Sequence, residues 1–213
     1  MLADYWPLLN LRLTTARLVL RPPDEDELAN LASVAAAGVH RPGERPFLTP
    51  WTEGSPQQRA LHVVQQHWRR RGDWTPDAWA LELCLFHEHQ PVGMVALRAR
   101  DFRVLREVKT ESWLGVEYHR RGLGTEARAA ILHLAFEHLR ALSAVTEVFQ
   151  DNAGSQGVSR KLGYHHDGIS RDVRDGEAIV SDRLRFDWDD WLKTDRLGVE
   201  ITGVEPCLPH FGV

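Results

Sequence analysis

The sequence predicts a mixed α/β fold, and three observations carry this prediction. Segments that alternate apolar and polar residues, as strands do, form a meander over about 79–86, 91–100 and 107–116. A helix-like segment, 125–140, then separates this meander from another apolar run, 145–150, which is the order of a β-α-β crossover. The 213 residues, 43% hydrophobic and 26% charged, suffice for a substantial core. We therefore expect one domain spanning 1–213.

The N-terminal part is predicted to contain one strand and one helix. Alternation over Leu11–Arg21 indicates a strand, which Pro22 and Pro23 end. Four acidic residues from Asp24 onward suit the positive end of a helix dipole, and Gly38 follows the predicted helix end. We expect a helix over about 24–37.

A long loop and a second helix follow. The stretch 39–56 holds four prolines and two glycines, which indicates a loop long enough to be a candidate binding element. Ser55 and Pro56 open a helix that ends near Gly72. Its apolar residues at near-helical spacing are Leu61, Val64 and Trp68, and its last turn carries three arginines that complement the helix dipole.

The C-terminal part predicts a short helix, a hairpin and a tail. The helix spans about 155–162, and strands at about 164–174 and 178–187 meet at a connection that contains Gly176. The element order is therefore βααβββαβαββ, within a core of 11–192. The apolar residues of the extension 193–213 lead us to expect that it covers the sheet or reaches a neighbouring subunit.

Composition excludes several classes of function. A net charge of -4 gives no bulk attraction to nucleic acid or to an anionic membrane. The sequence has no apolar run of about 18 residues that could span a bilayer. Its N-terminus carries an acidic residue, Asp4, where a signal peptide would carry basic residues. Cys84 and Cys207 are expected to be buried free thiols, as in a cytoplasmic protein. Tryptophans in loop-like or terminal stretches are expected to be half-buried at a ligand cleft or a homodimer interface: Trp6, Trp51, Trp74, Trp188 and Trp191.

The stretch Trp113–Ala127 joins a strand-like run, a basic turn and a helix start. Gly122 and Gly124 allow backbone N–H groups to approach a ligand, and a helix N-terminus favours anions. The turn also matches the dinucleotide pattern G-x-G-x-x-A, with Asp151 as an acidic partner, although five residues separate the apolar run from the glycines. No Gly-Lys-Ser/Thr closes it as in a P-loop. A bend with a solvated basic face remains a further interpretation.

Two later motifs favour one interpretation. The segments 151–155, D-N-A-G-S, and 161–164, K-L-G-Y, resemble the N-x-x-S and K-L-G-F/Y signature of the GNAT superfamily of CoA-dependent N-acyltransferases. The glycine turn resembles the pyrophosphate loop of that family, and 13–22 resembles the branch that acetylates ribosomal-protein N-termini. The resemblance covers about 11–192. It implies an α+β fold whose central, mostly antiparallel twisted sheet has helices on both faces and splayed strands at the CoA site.

The resemblance implies how the acyl donor, acetyl-CoA or succinyl-CoA, is held. The pyrophosphate would lie on backbone N–H groups of the turn, and the pantetheine would pair with the preceding strand. His119 stands where the family usually has Arg or Gln. The implied donor-binding residues are Trp113, Leu114, Gly115, Val116, His119, Arg120, Arg121, Gly122, Leu123, Gly124, Thr125, Asn152, Ser155 and Lys161.

The resemblance also implies direct attack of an amine on the thioester in a ternary complex. Ser155 is the candidate hydroxyl beside the sulfur, with helix N-cap as its plainer role. Asn152 would orient the substrate or serve as a turn residue. Glu111 is the first candidate base, ahead of Glu117 and Asp151. The family's frequent tyrosine proton donor is replaced by Ser159.

The loop 39–51 lies where the family places acceptor-binding elements. The candidate acceptor residues there are His40, Arg41, Arg45, Phe47 and Trp51, and either arginine could pair with a succinyl carboxylate. The acceptor amine could belong to a protein N-terminus, a lysine or a small molecule. No metal site is expected, because the short His/Glu runs at 87–89 and 165–166 lack a third ligand. The alternative function is a non-catalytic acyl-CoA-binding module.

Overall fold

The computed structural model describes all residues 1–213, and its centre is one sheet of nine strands. The spatial order is β7-β8-β6-β5-β4-β3-β2-β1-β9. The strands are β1 Arg12–Thr14, β2 Leu18–Arg21, β3 Ala78–His87, β4 Gln90–Arg100, β5 Glu107–Leu114, β6 Ser143–Phe149, β7 His165–Arg174, β8 Glu177–Asp187 and β9 Glu200–Thr202. Only β5 and β6 run parallel, so the predicted mostly antiparallel sheet is confirmed.

Helices cover both faces of this sheet. They are α1 Glu25–Ala37, α2 Pro56–Gly72, α3 Phe102–Leu105, α4 Leu123–His133, α5 Ala153–Lys161 and α6 Trp188–Trp191. Shorter 3₁₀ segments lie at Leu2–Asp4, Pro7–Asn10, Val116–Tyr118 and Glu205–Phe211, and a π-helical turn, Leu134–His138, continues α4. None of the helices is long and apolar enough to cross a bilayer.

The alternation of β3 explains why the core has two parts. Leu83 and Leu85 pack on the face that α4 covers, whereas Cys84 and Phe86 pack on the face that α1 and α2 cover. Successive side chains of a strand point to opposite faces, so one apolar strand supplies both cores. The predicted crossover is also present, because α4 joins the parallel strands β5 and β6.

The predicted single strand Leu11–Arg21 is wrong: it is the hairpin of β1 and β2. The two strands pair antiparallel, with Leu13 opposite Leu20. Within the turn, the Thr15 N–H donates to the Leu18 carbonyl at 2.9 Å and the Leu18 N–H donates to Thr15 Oγ1 at 3.0 Å. Thr15 Oγ1 and Arg17 Nε also donate to Glu126 of α4, at 2.6 and 2.7 Å. This contact spans more than a hundred positions, which a local alternation pattern does not reveal.

Helix α2 has the predicted bounds but a different buried side. Leu61 and Trp68 are 54% and 51% exposed, whereas Val63 and His67 are buried. The helix is turned so that His67 faces Glu82 of β3, with Nδ1 3.3 Å from Oε2. The predicted apolar side is therefore wrong for Leu61 and Trp68.

The C-terminal extension covers one edge of the sheet and enters the core. Strand β9 pairs with β1, and Cys207 and Phe211 are fully buried. Trp74 and Trp79 donate their indole N–H groups to backbone carbonyls of this segment, at 2.9 and 3.2 Å. The expectation that the tail covers the sheet is confirmed. Burial of both cysteines is confirmed as well.

Four of the five tryptophans expected to be half-buried are so, namely Trp6, Trp51, Trp74 and Trp188. Trp191 is only 4% exposed, because its ring stacks on Phe136 at a centroid distance of 5.3 Å. The expectation of a half-buried Trp191 is therefore wrong.

Candidate functional site

The sheet opens between β5 and β6. These parallel strands pair only over Glu107–Lys109 and Ser143–Val145. Beyond that point β5 stays with β4 up to Leu114, and β6 stays with β8 up to Phe149. The two strands therefore diverge, which confirms the predicted splay. The edge of β5 over residues 110–114, called its upper edge below, has no strand partner on this side.

A cavity of about 1210 Å³ occupies this opening and reaches both faces of the sheet. The predicted site residues that line it are His40, Arg41, Arg45, Phe47, Trp51, Glu111, Trp113, Leu114, His119, Arg120, Gly122, Leu123, Gly124, Thr125, Asn152, Ser155 and Lys161. The predicted residues Gly115, Val116 and Arg121 do not line it. The N–H groups of Gly115 and Val116 donate to Val92 and Gly38, so they are already engaged.

The glycine turn presents free backbone donors at one end of the cavity. Gly122 has φ +80°, a left-handed conformation that favours glycine, and it directly precedes α4. None of the five N–H groups from Arg121 to Thr125 has an acceptor within the protein. Together with the positive end of the α4 dipole, they form a cradle that fits the oxygens of a phosphate or diphosphate group.

Side chains add less positive charge to this cradle than the sequence suggests. Arg121 lies over the ring of Tyr118, 5.5 Å from its centroid, and away from the cavity. His119 lines the cavity with Nε2 3.1 Å from the Leu114 carbonyl oxygen, and Arg120 is exposed at its rim. The groups available to an anion here are therefore mainly backbone N–H groups.

Asn152, not Ser155, is the N-cap of α5. Asn152 Oδ1 accepts a hydrogen bond from the Ser155 N–H at 3.0 Å. The plainer role expected for Ser155 is therefore wrong, because the helix begins at Ala153. The Ser155 hydroxyl has no partner in the protein and lines the cavity, so it is free to contact a ligand.

The opposite side of the cavity is an aromatic wall. Trp51 contacts Phe47 and Trp113 at centroid distances of 5.2 and 5.8 Å. His62 of α2 stacks on Trp51 at 5.0 Å. Burial and the charges of Arg69 and Arg70 lower the pKa of His62. Its imidazole is therefore neutral at pH 7 and can accept a proton.

Glu111 is held between two arginines. Arg70 Nη2 lies 2.8 Å from Oε2, and Arg98 Nη1 lies 2.7 Å from Oε1. Burial raises the pKa of this carboxyl, but the two guanidinium charges lower it further than burial raises it. Both oxygens are occupied, so the geometry disfavours Glu111 as the proton acceptor.

Arg45 is committed within the protein, whereas Arg41 is not. Arg45 binds Glu53 through Nε at 2.9 Å and also pairs with Asp175 of the β7–β8 turn. Arg174 binds the same Glu53 at 2.7 Å. The Arg41 guanidinium, also in the cavity wall, has no carboxylate partner.

Sequence reasoning missed His62, Arg70 and Arg128 as cavity residues. The sequence interpretation assigned Arg70 to the helix dipole, but its guanidinium reaches Glu82 and Glu111, 12 and 41 positions away. Arg128 belongs to α4 and is buried at the bottom of the opening. A charged residue within the apolar run 127–132 was the one local signal available.

A possible set of metal ligands lies elsewhere. His165, Asp187 and Asp190 bring their ligand atoms within 4.8 Å of one another, and none of them lines the cavity. Asp187 also lies 3.5 Å from Arg185 Nη1.

Comparisons with known proteins agree with this geometry. The chain matches the family described as Acetyltransferase (GNAT) domain over residues 17–165. It resembles a GCN5-related N-acetyltransferase from Brucella melitensis with 17% identity and a TM-score of 0.67, over 85% of this chain and 80% of that one.

Two solved structures with bound ligands are also similar. One is RimL, a ribosomal L7/L12 alpha-N-protein acetyltransferase in complex with coenzyme A, with 16% identity, a TM-score of 0.64, and coverage of 83% of this chain and 97% of that one. The other is the microcin C7 self-immunity acetyltransferase MccE in complex with acetyl-CoA and AMP, with 13% identity, a TM-score of 0.64, and coverage of 81% and 93%. At these identities the likeness concerns the fold. The family match, which spans most of the chain, shows that this protein is a member of the GNAT acetyltransferase family.

Proposed function

We propose that this enzyme transfers an acyl group from acyl-CoA to a primary amine by direct attack in a ternary complex. The observation that carries the proposal is the cavity itself. It begins at five free N–H groups and passes through the sheet to an aromatic wall on the other face. Such a passage suits a long donor that is anchored by phosphate at one end and meets a second substrate at the other.

The donor end uses mainly backbone. The N–H groups of Arg121–Thr125 would hold the pyrophosphate, with Arg120, His119 and Lys161 nearby. The upper edge of β5, which β6 leaves free, would pair with the amides of the pantetheine. Only Trp113 and Leu114 of the strand residues expected for this role line the cavity.

The acceptor end would hold the amine between the aromatic wall and charged side chains. An amine attacks only when neutral, so a proton must leave it. His62 suits that role because it is neutral and unpaired beside Trp51. Glu111 would remain ionised and keep Arg70 and Arg98 in place. The Ser155 hydroxyl and the Asn152 amide would contact the thioester end of the donor.

The identity of the acyl group depends on Arg41. An acetyl group needs no counter-ion, whereas a succinyl carboxylate would need a free cation near the acceptor end. Of the two arginines expected to bind the acyl group, Arg45 cannot serve without giving up Glu53 and Asp175, whereas Arg41 is not paired with a carboxylate. We propose that acetyl is the main acyl group transferred and that succinyl-CoA is a further donor, whose carboxylate Arg41 recognises.

For the acceptor we propose a protein amine. The likeness to RimL, which is described as a protein alpha-N acetyltransferase, supports this choice over a small molecule. The homodimer and the cytoplasmic location expected from the sequence stay predictions.

The test is release of free thiol from acetyl-CoA and from succinyl-CoA over a panel of peptide α-amines, lysines and small amines. The proposal predicts acceptor-dependent release, with peptides as the best acceptors. Arg41→Ala should reduce succinyl turnover alone, and Arg103→Ala, an exposed change outside the cavity, should reduce neither. Donor binding without release for any acceptor would instead favour the non-catalytic acyl-CoA-binding module.

A further inference from the structure

Arg128 is a buried cation without an anion. Its residue is 3% exposed, and no carboxylate pairs with it. Nη2 donates to Thr110 Oγ1 at 2.7 Å, Nη1 lies 3.4 Å from Ser159 Oγ, and Nε has no partner. A guanidinium carries five N–H donors, so most of them are unused. Burying an uncompensated charge is costly, and a protein rarely keeps one without a use.

The other buried arginine differs in this respect. Arg174 is 9% exposed, and its Nη2 binds Glu53 at 2.7 Å. Around Arg128, the groups that face it are the hydroxyls of Thr110 and Ser159 and both the ring and the hydroxyl of Tyr164, whose ring centroid is 5.4 Å away. Burial raises the pKa of Tyr164. None of these carries a negative charge at neutral pH.

Arg128 lies at the closed end of the opening in the sheet. Thr110 and Thr146 are the first residues of β5 and β6 beyond the parallel pairing, and Thr146 Oγ1 donates to the Thr110 carbonyl at 3.2 Å. Arg128, Thr110 and Thr146 all line the cavity. The carboxylates that follow on the two strands, Glu111 and Glu147, pair with Arg70 and Arg98 and with Lys109. They do not compensate Arg128.

The position along α4 identifies which part of the donor Arg128 would meet. Arg128 follows Thr125, the last residue of the cradle, by three positions, or about 4.5 Å along the helix axis, and it lines the cavity beside Thr110 and Thr146 where β5 and β6 part. A donor whose phosphates lie in the cradle and whose pantetheine runs along the free edge of β5 would pass Arg128 on its way to the acceptor end. The amide groups of the pantetheine are neutral and would leave the guanidinium charge uncompensated. The sulfur becomes negative when the thioester breaks.

We propose that Arg128 is a catalytic residue that stabilises the departing CoA thiolate. The inference rests on the proposed acyl transfer. The amine nitrogen forms a bond to the carbonyl carbon, the carbon–sulfur bond breaks, and its electron pair remains on the sulfur. The proton of the amine leaves through His62. Arg128 keeps its own protons, because guanidinium is not deprotonated in proteins, and the thiolate takes up a proton from water after release.

The test measures the thiol pKa of enzyme-bound CoA from the ultraviolet absorbance of the thiolate. A nearby cation favours the thiolate, so the bound thiol should titrate at least about one pH unit below free CoA in the wild type. Arg128→Met should bring the titration back to that of free CoA measured in the same buffer. Arg128→Lys should keep most of the decrease, and Arg103→Met, which changes an exposed arginine, should match the wild type.

A second measurement determines how much the sulfur contributes to the affinity for the donor, by comparing CoA with desulfo-CoA. The affinity of the wild type for CoA relative to desulfo-CoA should rise with pH and approach about tenfold once the thiol of free CoA is also ionised, whereas in Arg128→Met this ratio should not change with pH. If Arg128→Met does not fold, Arg128→Gln serves in both experiments. Equal thiol titration in wild type and variant, or an equal loss of affinity for CoA and desulfo-CoA, would overturn the inference. Failure of the wild type to bind CoA would instead refute the proposed function.

Discussion

At the scale of single residues, two neighbours at the start of α5 have separate tasks. Asn152 caps the helix through its side-chain oxygen, and this leaves the Ser155 hydroxyl without a structural partner. In the proposed reaction, this free hydroxyl on the wall of the cavity would contact the sulfur of the donor. The separation allows the chemical role of Ser155 to be tested without disturbing the helix.

Ser155→Ala is expected to lower kcat by about 10- to 100-fold, because a hydroxyl that assists the departing sulfur would be lost. Its melting temperature should stay within about 1 °C of the wild type, since the cap remains. Steady-state thiol release and thermal unfolding measure these two quantities. Ser33→Ala removes an exposed helical hydroxyl and serves as control. An unchanged kcat would remove Ser155 from the mechanism.

His62 gives a prediction about pH. Burial and the charges of Arg69 and Arg70 lower its pKa from the ordinary value of about 6.5, so the imidazole is neutral at pH 7 and takes up a proton only in more acidic solution. As proton acceptor it should sustain the rate above its pKa and lose that ability as the pH falls. His62→Gln should therefore lower kcat by about 100-fold at pH 7.5, and the difference should shrink towards acid pH.

The measurement is the ratio of wild-type to His62→Gln kcat between pH 5 and 8, in which titration of the acceptor amine cancels. His89→Gln, in the exposed β3–β4 turn, is the control. A ratio that is constant with pH would contradict the role. A Glu111→Gln variant with the larger and pH-dependent loss would return that role to Glu111.

Gly122 tests the backbone cradle. A side chain in its left-handed conformation costs roughly 1 to 2 kcal/mol, and a Cβ there would lie 3.3 Å from Arg17 Nη2. Gly122→Ala should weaken acetyl-CoA binding about tenfold by shifting the N–H groups, as calorimetric titration can measure. Gly72→Ala, at the end of α2 with open space around it, should leave affinity unchanged. Equal affinities would mean that the donor's phosphates lie elsewhere.

At the scale of elements, α5 depends on its cap. Asn152→Ala should lower the free energy of unfolding by about 1 kcal/mol, because the Ser155 N–H loses its acceptor. Urea denaturation measures the change. Asn30→Ala, in the exposed middle of α1, should cause no loss because alanine favours helix. No loss at Asn152 would show that water replaces the cap.

Elements whose signals are local were predictable from the sequence. Asp24 and Ser55 cap α1 and α2 as expected, and the crossover and the glycine turn were found in the predicted order. The predictions that failed concern residues whose partners lie far away along the chain. Arg17 meets Glu126 across 109 positions, and Arg45 meets Asp175 across 130. No periodicity within a segment contains that information, so neither the contact of the β1–β2 turn with Glu126 nor the pairing of Arg45 with Asp175 could be predicted from the sequence.

At the scale of the whole molecule, the C-terminal segment completes the core. Phe211 is fully buried against Trp74 and Trp79, with ring centroids 5.4 and 4.9 Å away. Phe211→Ala should lower the free energy of unfolding by about 3 to 5 kcal/mol, which urea denaturation measures. Val213→Ala, two residues on and 40% exposed, should change it by less than about 0.5 kcal/mol. Similar losses for both would mean that the segment does not pack as described.

In the proposed function, the cavity connects a donor site on one face of the sheet to an acceptor site on the other. It implies one transfer step with no acyl group attached to the protein. The most direct measurement is a single-turnover reaction with acetyl-CoA, followed by free-thiol assay and by intact mass of both protein and acceptor. We expect one thiol released per acetylated amine, no release without acceptor, and an unchanged protein mass. Thiol release without acceptor together with an acetyl mass increase on the protein would contradict direct transfer, because the acyl group would first be attached to the protein.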